Sequence, residues 1–119
     1  MKENVISEKS FTFALRIVKL YQYLCEEKKE FVLSKQILRS GTSIGANIEE
    51  GIGGQSGKDF HSKMSIAYKE ARETHYWLRL LYKANYIADT AYQSILADCD
   101  ELVRILGSIK KTMEEKPKN

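Results

Sequence analysis

The chain has 119 residues, 43% hydrophobic and 29% charged, which is enough apolar material for one core and leaves none for a second domain. Its only proline is Pro117, so nothing in the composition interrupts long helices before the last three residues. A formal net charge of +3 and a pI of about 8.8 are mildly basic, below the clustered, strongly basic charge of dedicated nucleic-acid binders, and charge alone leaves the partner open.

Residues 1–10 lack the apolar segment of a signal peptide, and no run of about 18 apolar residues occurs, so a cytoplasmic chain is expected, neither secreted nor membrane-spanning. Cys25 and Cys99 sit in apolar stretches without CxxC or zinc-type spacing. They read as buried, reduced thiols.

The spacing predicts a first helix over residues 7–28. Phe11, Leu15, Val18 and Cys25 recur at helical period, with Ala14 and Tyr21 beside them. Phe13, Ile17, Leu20 and Leu24 make a second stripe on a neighbouring face. Two stripes exceed what one core-facing side needs, which points to contact with another subunit.

A second helix is predicted over residues 31–51 from Leu33, Ile37, Ile44 and Ile48, stopped by the glycine-rich stretch 51–57. Gly41 and Gly45 fall inside it, each costing about 1 kcal/mol against alanine, so a neighbouring helix should approach closely there. On one edge of the same helix Gln36, Ser40, Ser43, Asn47 and Glu50 form a tight polar line beside the isoleucines. They are candidates for an interhelical or intersubunit polar network.

The third helix is predicted over residues 57–84, opened by Ser56 or Gly57, with Asp59 complementing its dipole and Phe60, Met64, Ala67, Ala71, Thr74, Leu78 and Leu81 as its stripe. Roughly opposite that stripe lie Lys69, Arg72, Tyr76, Arg79 and Lys83. Such a basic ridge with one aromatic could follow a phosphate backbone, with Tyr76 stacking on a base. It could equally be a plain solvated face. Lys35 and Arg39 on the second helix would add to the same field if self-association brings the ridges together.

After a turn at residues 85–89, Thr90 and Gln93 have capping-box spacing for a last helix over residues 89–116. Residues 116–119 are expected to fray. Four rods of matched length with short connectors predict an all-α, antiparallel up-down-up-down four-helix bundle spanning the chain as one domain.

No catalytic, metal or cofactor site is expected. A phosphate loop at residues 51–57 would need glycine at Ile52 and Ser or Thr at Asp59, and it would follow a strand. The positions three before His61 and His75 are Lys58 and Arg72, so no Glu-x-x-His pair exists to hold a di-metal centre. His61, Tyr68, His75 and Tyr82 fall in line at every seventh residue and read as the edge of a helix interface.

The stretch of residues 36–51, QILRSGTSIGANIEEG, resembles the second-helix signature of the bacterial four-helix-bundle family also called the 23S ribosomal RNA intervening-sequence proteins. Phe60, residues 67–73, Leu78, Tyr86 and Ile87 fit the same pattern, so the similarity runs over about residues 8–115. It implies a small bundle that assembles into a ring, a homopentamer, without enzymatic activity. A related branch resembles the accessory proteins of diversity-generating retroelements, basic pentameric barrels that work with a reverse transcriptase and its RNA; this chain is less basic than that branch. The expectation is a non-enzymatic homo-oligomer binding RNA or DNA weakly through the ridge. The alternative is a protein-interaction module that binds no nucleic acid.

Overall fold

The computed structural model describes residues 2–115, with side chains from Val5 onward. The expected end of the last helix at Lys116 and the frayed tail lie outside the described residues. Four helices follow one another: α1 (Lys2–Glu26), α2 (Leu33–Ile52), α3 (Gly57–Lys83) and α4 (Asp89–Glu114). Each packs on the next and α4 returns to α1, so the helices stand around the core in chain order as an antiparallel bundle. The result is a rod of 54 × 22 × 21 Å. Among the described residues no helix is long and apolar enough to cross a membrane.

The helix starts use three different devices. Glu30 leaves the preceding turn and its carboxylate accepts the backbone N–H groups of Val32, Leu33 and Ser34 at 3.2, 3.1 and 2.7 Å, satisfying donors that the first turn of α2 cannot pair internally. Ser56 caps α3 by accepting from Asp59 N at 3.1 Å. Helix α4 starts after Ala88 without a side-chain cap. The predicted Thr90–Gln93 capping box does not form, because the helix begins at Asp89 and Thr90 is already inside it. Asp89 instead accepts from Tyr82 Oη at 2.6 Å and from Gln93 Nε2 at 3.5 Å, tying α4 to the end of α3. That hydrogen bond and the carboxylate charge raise the Tyr82 phenol above its ordinary value.

On α1 the two apolar stripes have opposite fates. Ile6, Phe13, Ile17 and Leu24 are buried, whereas Phe11 is 66% and Leu15 50% exposed. The stripe led by Phe11 is therefore not the core stripe. Buried isoleucines of α2, Met64 and Leu78 of α3, and Leu102 and Leu106 of α4 complete the interior.

The α1–α2 seam closes on the two interior glycines. A Cβ on Gly41 would stand 2.7 Å from Ile17 Cγ1, and one on Gly45 3.3 Å from Ser10 Oγ. The close approach expected from sequence is present, and it is α1 that approaches. The α1–α4 seam is the slackest of the four and is spanned by polar groups: Arg16 reaches Asp98 at 2.7 Å and Ser94 Oγ at 3.0 Å, and Lys9 reaches Glu101 at 3.1 Å.

Candidate nucleic-acid interface

Helical geometry decides which cations of α3 share a surface. Met64, Ala67, Ala71, Thr74, Leu78 and Leu81 are buried, so residues about half a turn away must face solvent. Lys69, Arg72, Tyr76, Arg79 and Lys83 do so. None of these four cations has a carboxylate within 4.0 Å among the described residues, while Lys9, Arg16, Arg39, Lys63, Lys110 and Lys111 each have at least one.

Aromatic rings hold three of the four ridge cations in place of acids. The Arg72 guanidinium lies 5.9 Å from the centre of the Tyr68 ring and donates to its hydroxyl at 3.4 Å. Arg79 lies 5.9 Å from the Tyr76 ring, and Lys83 the same distance from Tyr82. Cation–ring contact of this kind limits wandering without neutralising charge. Tyr76 is 48% exposed, with its ring edge-on to Trp77 at 5.1 Å.

Sequence reasoning missed the contribution of α4. Lys110 also stands 5.9 Å from the Tyr68 ring, bringing a second cation to it, although Lys110 is paired with Glu114 at 3.1 Å. Tyr68 packs closely on α4 because position 107 is glycine; a Cβ there would stand 3.2 Å from Tyr68 Cε1. Exposed Arg104 also projects from α4. His75 of α3 meets Asp100 of α4 at 3.0 Å, with Arg72 and Arg79 on either side. No spacing rule within one helix could have found a pair that depends on the register of two.

The α2 candidates lie apart from the ridge. Arg39 is bound by Glu70 at 3.2 Å and by Glu73, both on the α2-facing flank of α3. Glu73 also accepts from Trp77 Nε1 at 2.9 Å. These acids neutralise Arg39 within the protomer. Lys35 is exposed and has no carboxylate within 4.0 Å among the described residues, but it stands on the far side of that acidic flank.

The polar line on α2 divides. Ser40 is fully buried and hydrogen-bonded to Thr74 across the α2–α3 seam at 2.9 Å. Glu50 reaches Lys63 of α3 at 2.7 Å on the surface. Ser43 donates to Ser40 O at 3.1 Å and Asn47 to Ser43 O at 2.8 Å, both within α2. Gln36 is exposed and makes no side-chain hydrogen bond among the described residues.

The fold defines the class: an antiparallel four-helix-bundle protein with four cations, unpaired among the described residues, in a row on one face of α3. Within that class, the chain belongs to the 23S rRNA-intervening sequence protein family, whose sequence model matches residues 2–108. It is similar in structure to a crystallised protein of unknown function from the S23 ribosomal protein family of Bacteroides thetaiotaomicron. The two share 57% identity and a TM-score of 0.90, over 93% of this chain and 99% of that one. No curated protein matches the sequence.

Proposed function

We propose that the chain is a non-enzymatic, self-associating scaffold that binds RNA or DNA weakly, without sequence preference, through phosphate contacts along α3. One observation carries this reading: Lys69, Arg72, Arg79 and Lys83 stand in a row with no carboxylate within 4.0 Å among the described residues, three of them braced by tyrosine rings. Four such cations on a single face cost self-repulsion. A polyanion would relieve it, and a weak, salt-sensitive complex is the expected outcome.

Self-association is supported by Phe11 and Leu15, large apolar side chains left in water on a helix whose other face already serves the core. The family resemblance makes a ring of five copies the expected count. A ring would repeat the ridge and multiply weak phosphate contacts into useful avidity.

Reversal of two ridge charges tests the proposal. The Arg72→Glu/Arg79→Glu variant should lose about tenfold or more in affinity for a mixed-sequence single-stranded RNA, while Lys35→Glu should lose little. Equal affinity of wild type and double variant would sink it.

The second reading, a protein-interaction module, is favoured by the same exposed Phe11 and Leu15. Light-scattering mass on nuclease-treated protein separates the two. If Leu15→Glu leaves the mass unchanged, that apolar face belongs to a different partner and the second reading gains.

A further inference from the structure

The cleft between α3 and α4 contains one feature that the ridge alone does not explain. Arg72, His75, Arg79, Asp100 and Val103 line a space of about 240 Å³. Arg72 and Arg79 are seven residues apart, about 10 Å along the helix, and each is braced by a tyrosine. His75 lies between them. Its Nε2 is 3.0 Å from Asp100 Oδ1, and both side chains reach solvent, at 29% and 48% exposure.

We propose that this cleft receives a phosphodiester group of single-stranded RNA between Arg72 and Arg79, and that one proton on His75 sets how well it is held. The inference rests on the ridge reading above and deepens it. With His75 neutral, the cleft sets two cations against one anion, and Asp100 faces the incoming phosphate with no positive partner within 4.0 Å among the described residues. Protonation of His75 gives Asp100 that partner at contact distance. The cleft then sets three cations against the one carboxylate, and the phosphate meets less repulsion.

The other groups around His75 do not supply this response. Arg72 and Arg79 stay charged at every accessible pH. On the core side of α4 the Cys99 thiol is pushed up to about 12, chiefly by burial, and keeps its proton. The remaining histidine, His61, sits four turns toward the start of α3, 3.9 Å from Glu114, and lines no part of the cleft.

The test is fluorescence anisotropy of a labelled, mixed-sequence single-stranded RNA of about 20 nucleotides, at constant ionic strength, at about pH 8 and about pH 6. Wild type should bind about threefold to tenfold tighter at the lower pH, the scale of one partly exposed charge contact. His75→Gln should lose most of that gain. Asp100→Asn should bind at the higher pH about as tightly as wild type does at the lower, because the repelling carboxylate is gone. His61→Gln should keep the full wild-type response. If wild type and His75→Gln gain equally, or Asp100→Asn binds no better than wild type at the higher pH, the inference is overturned while the ridge reading stands. If neither wild type nor Asp100→Asn binds RNA at either pH, the ridge reading fails and takes this inference with it.

Discussion

Thr74 and Ser40 meet hydroxyl to hydroxyl at 2.9 Å in the fully buried seam between α3 and α2, and Thr74 also donates to Glu70 O at 2.8 Å. A polar pair in a core is tolerated only while each partner satisfies the other. Thr74→Val keeps the shape and orphans Ser40, so urea unfolding should show a loss of about 1–3 kcal/mol. Adding Ser40→Ala should restore part of it, since the second change removes the unpaired hydroxyl. An additive double variant would mean the pair is not coupled.

Gly41 gives a prediction of opposite sign to helix propensity. Alanine there should stabilise an isolated helix by about 1 kcal/mol. In the bundle its Cβ would fall 2.7 and 2.8 Å from the two γ carbons of Ile17, branch atoms of a stiff side chain that cannot swing away. Overpacking of this kind costs about 1–3 kcal/mol, so Gly41→Ala should lower the unfolding midpoint, and in an Ile17→Ala background, where both γ carbons are gone, adding Gly41→Ala should cost little or nothing. A Gly41→Ala protein more stable than wild type would contradict the close α1–α2 contact.

The two thiols should behave differently. Burial, and secondarily the charges of Asp100 and Asp98, push Cys99 from its ordinary value near 9 to about 12, whereas Cys25 is half-buried. At about pH 8 a thiol reagent should modify Cys25 in the folded protein and reach Cys99 only after denaturant is added. The linkage follows from the direction of the shift. Between about pH 9 and 12 the folded state holds a proton on Cys99 that the unfolded state has released, so this group's contribution to stability falls as pH rises through that window. Cys99→Ala should flatten the decline, and an unchanged slope would show that other groups cause it.

Much of the fold is legible in the sequence because its punctuation is strong. Residues 51–57, with four glycines, end α2, and Ser56 begins α3 where a capping residue should. What resists reading is whatever depends on register between helices. Both stripes of α1 have helical period, and only the position of α2 tells that Ile17, not Leu15, faces inward. Glu30 is an ordinary surface acid by composition and becomes a cap through the path of the turn. The same limit governs the candidate site. The ridge itself follows from spacing on one helix, but Glu70 and Glu73 opposite Arg39, Asp100 opposite His75, and Lys110 beside Tyr68 are set by how two helices slide against each other.

The salt dependence of RNA binding tests the central claim most directly, since it counts neutralised phosphates without presuming which residue matters most. A plot of log affinity against log salt for single-stranded RNA should be linear, with a slope of about −3 if the four ridge cations of one protomer engage at about −0.7 each, and steeper if several protomers of an assembly share one strand. A slope near zero with measurable binding would mean the contact is not made through phosphates, and the account of the ridge would be wrong.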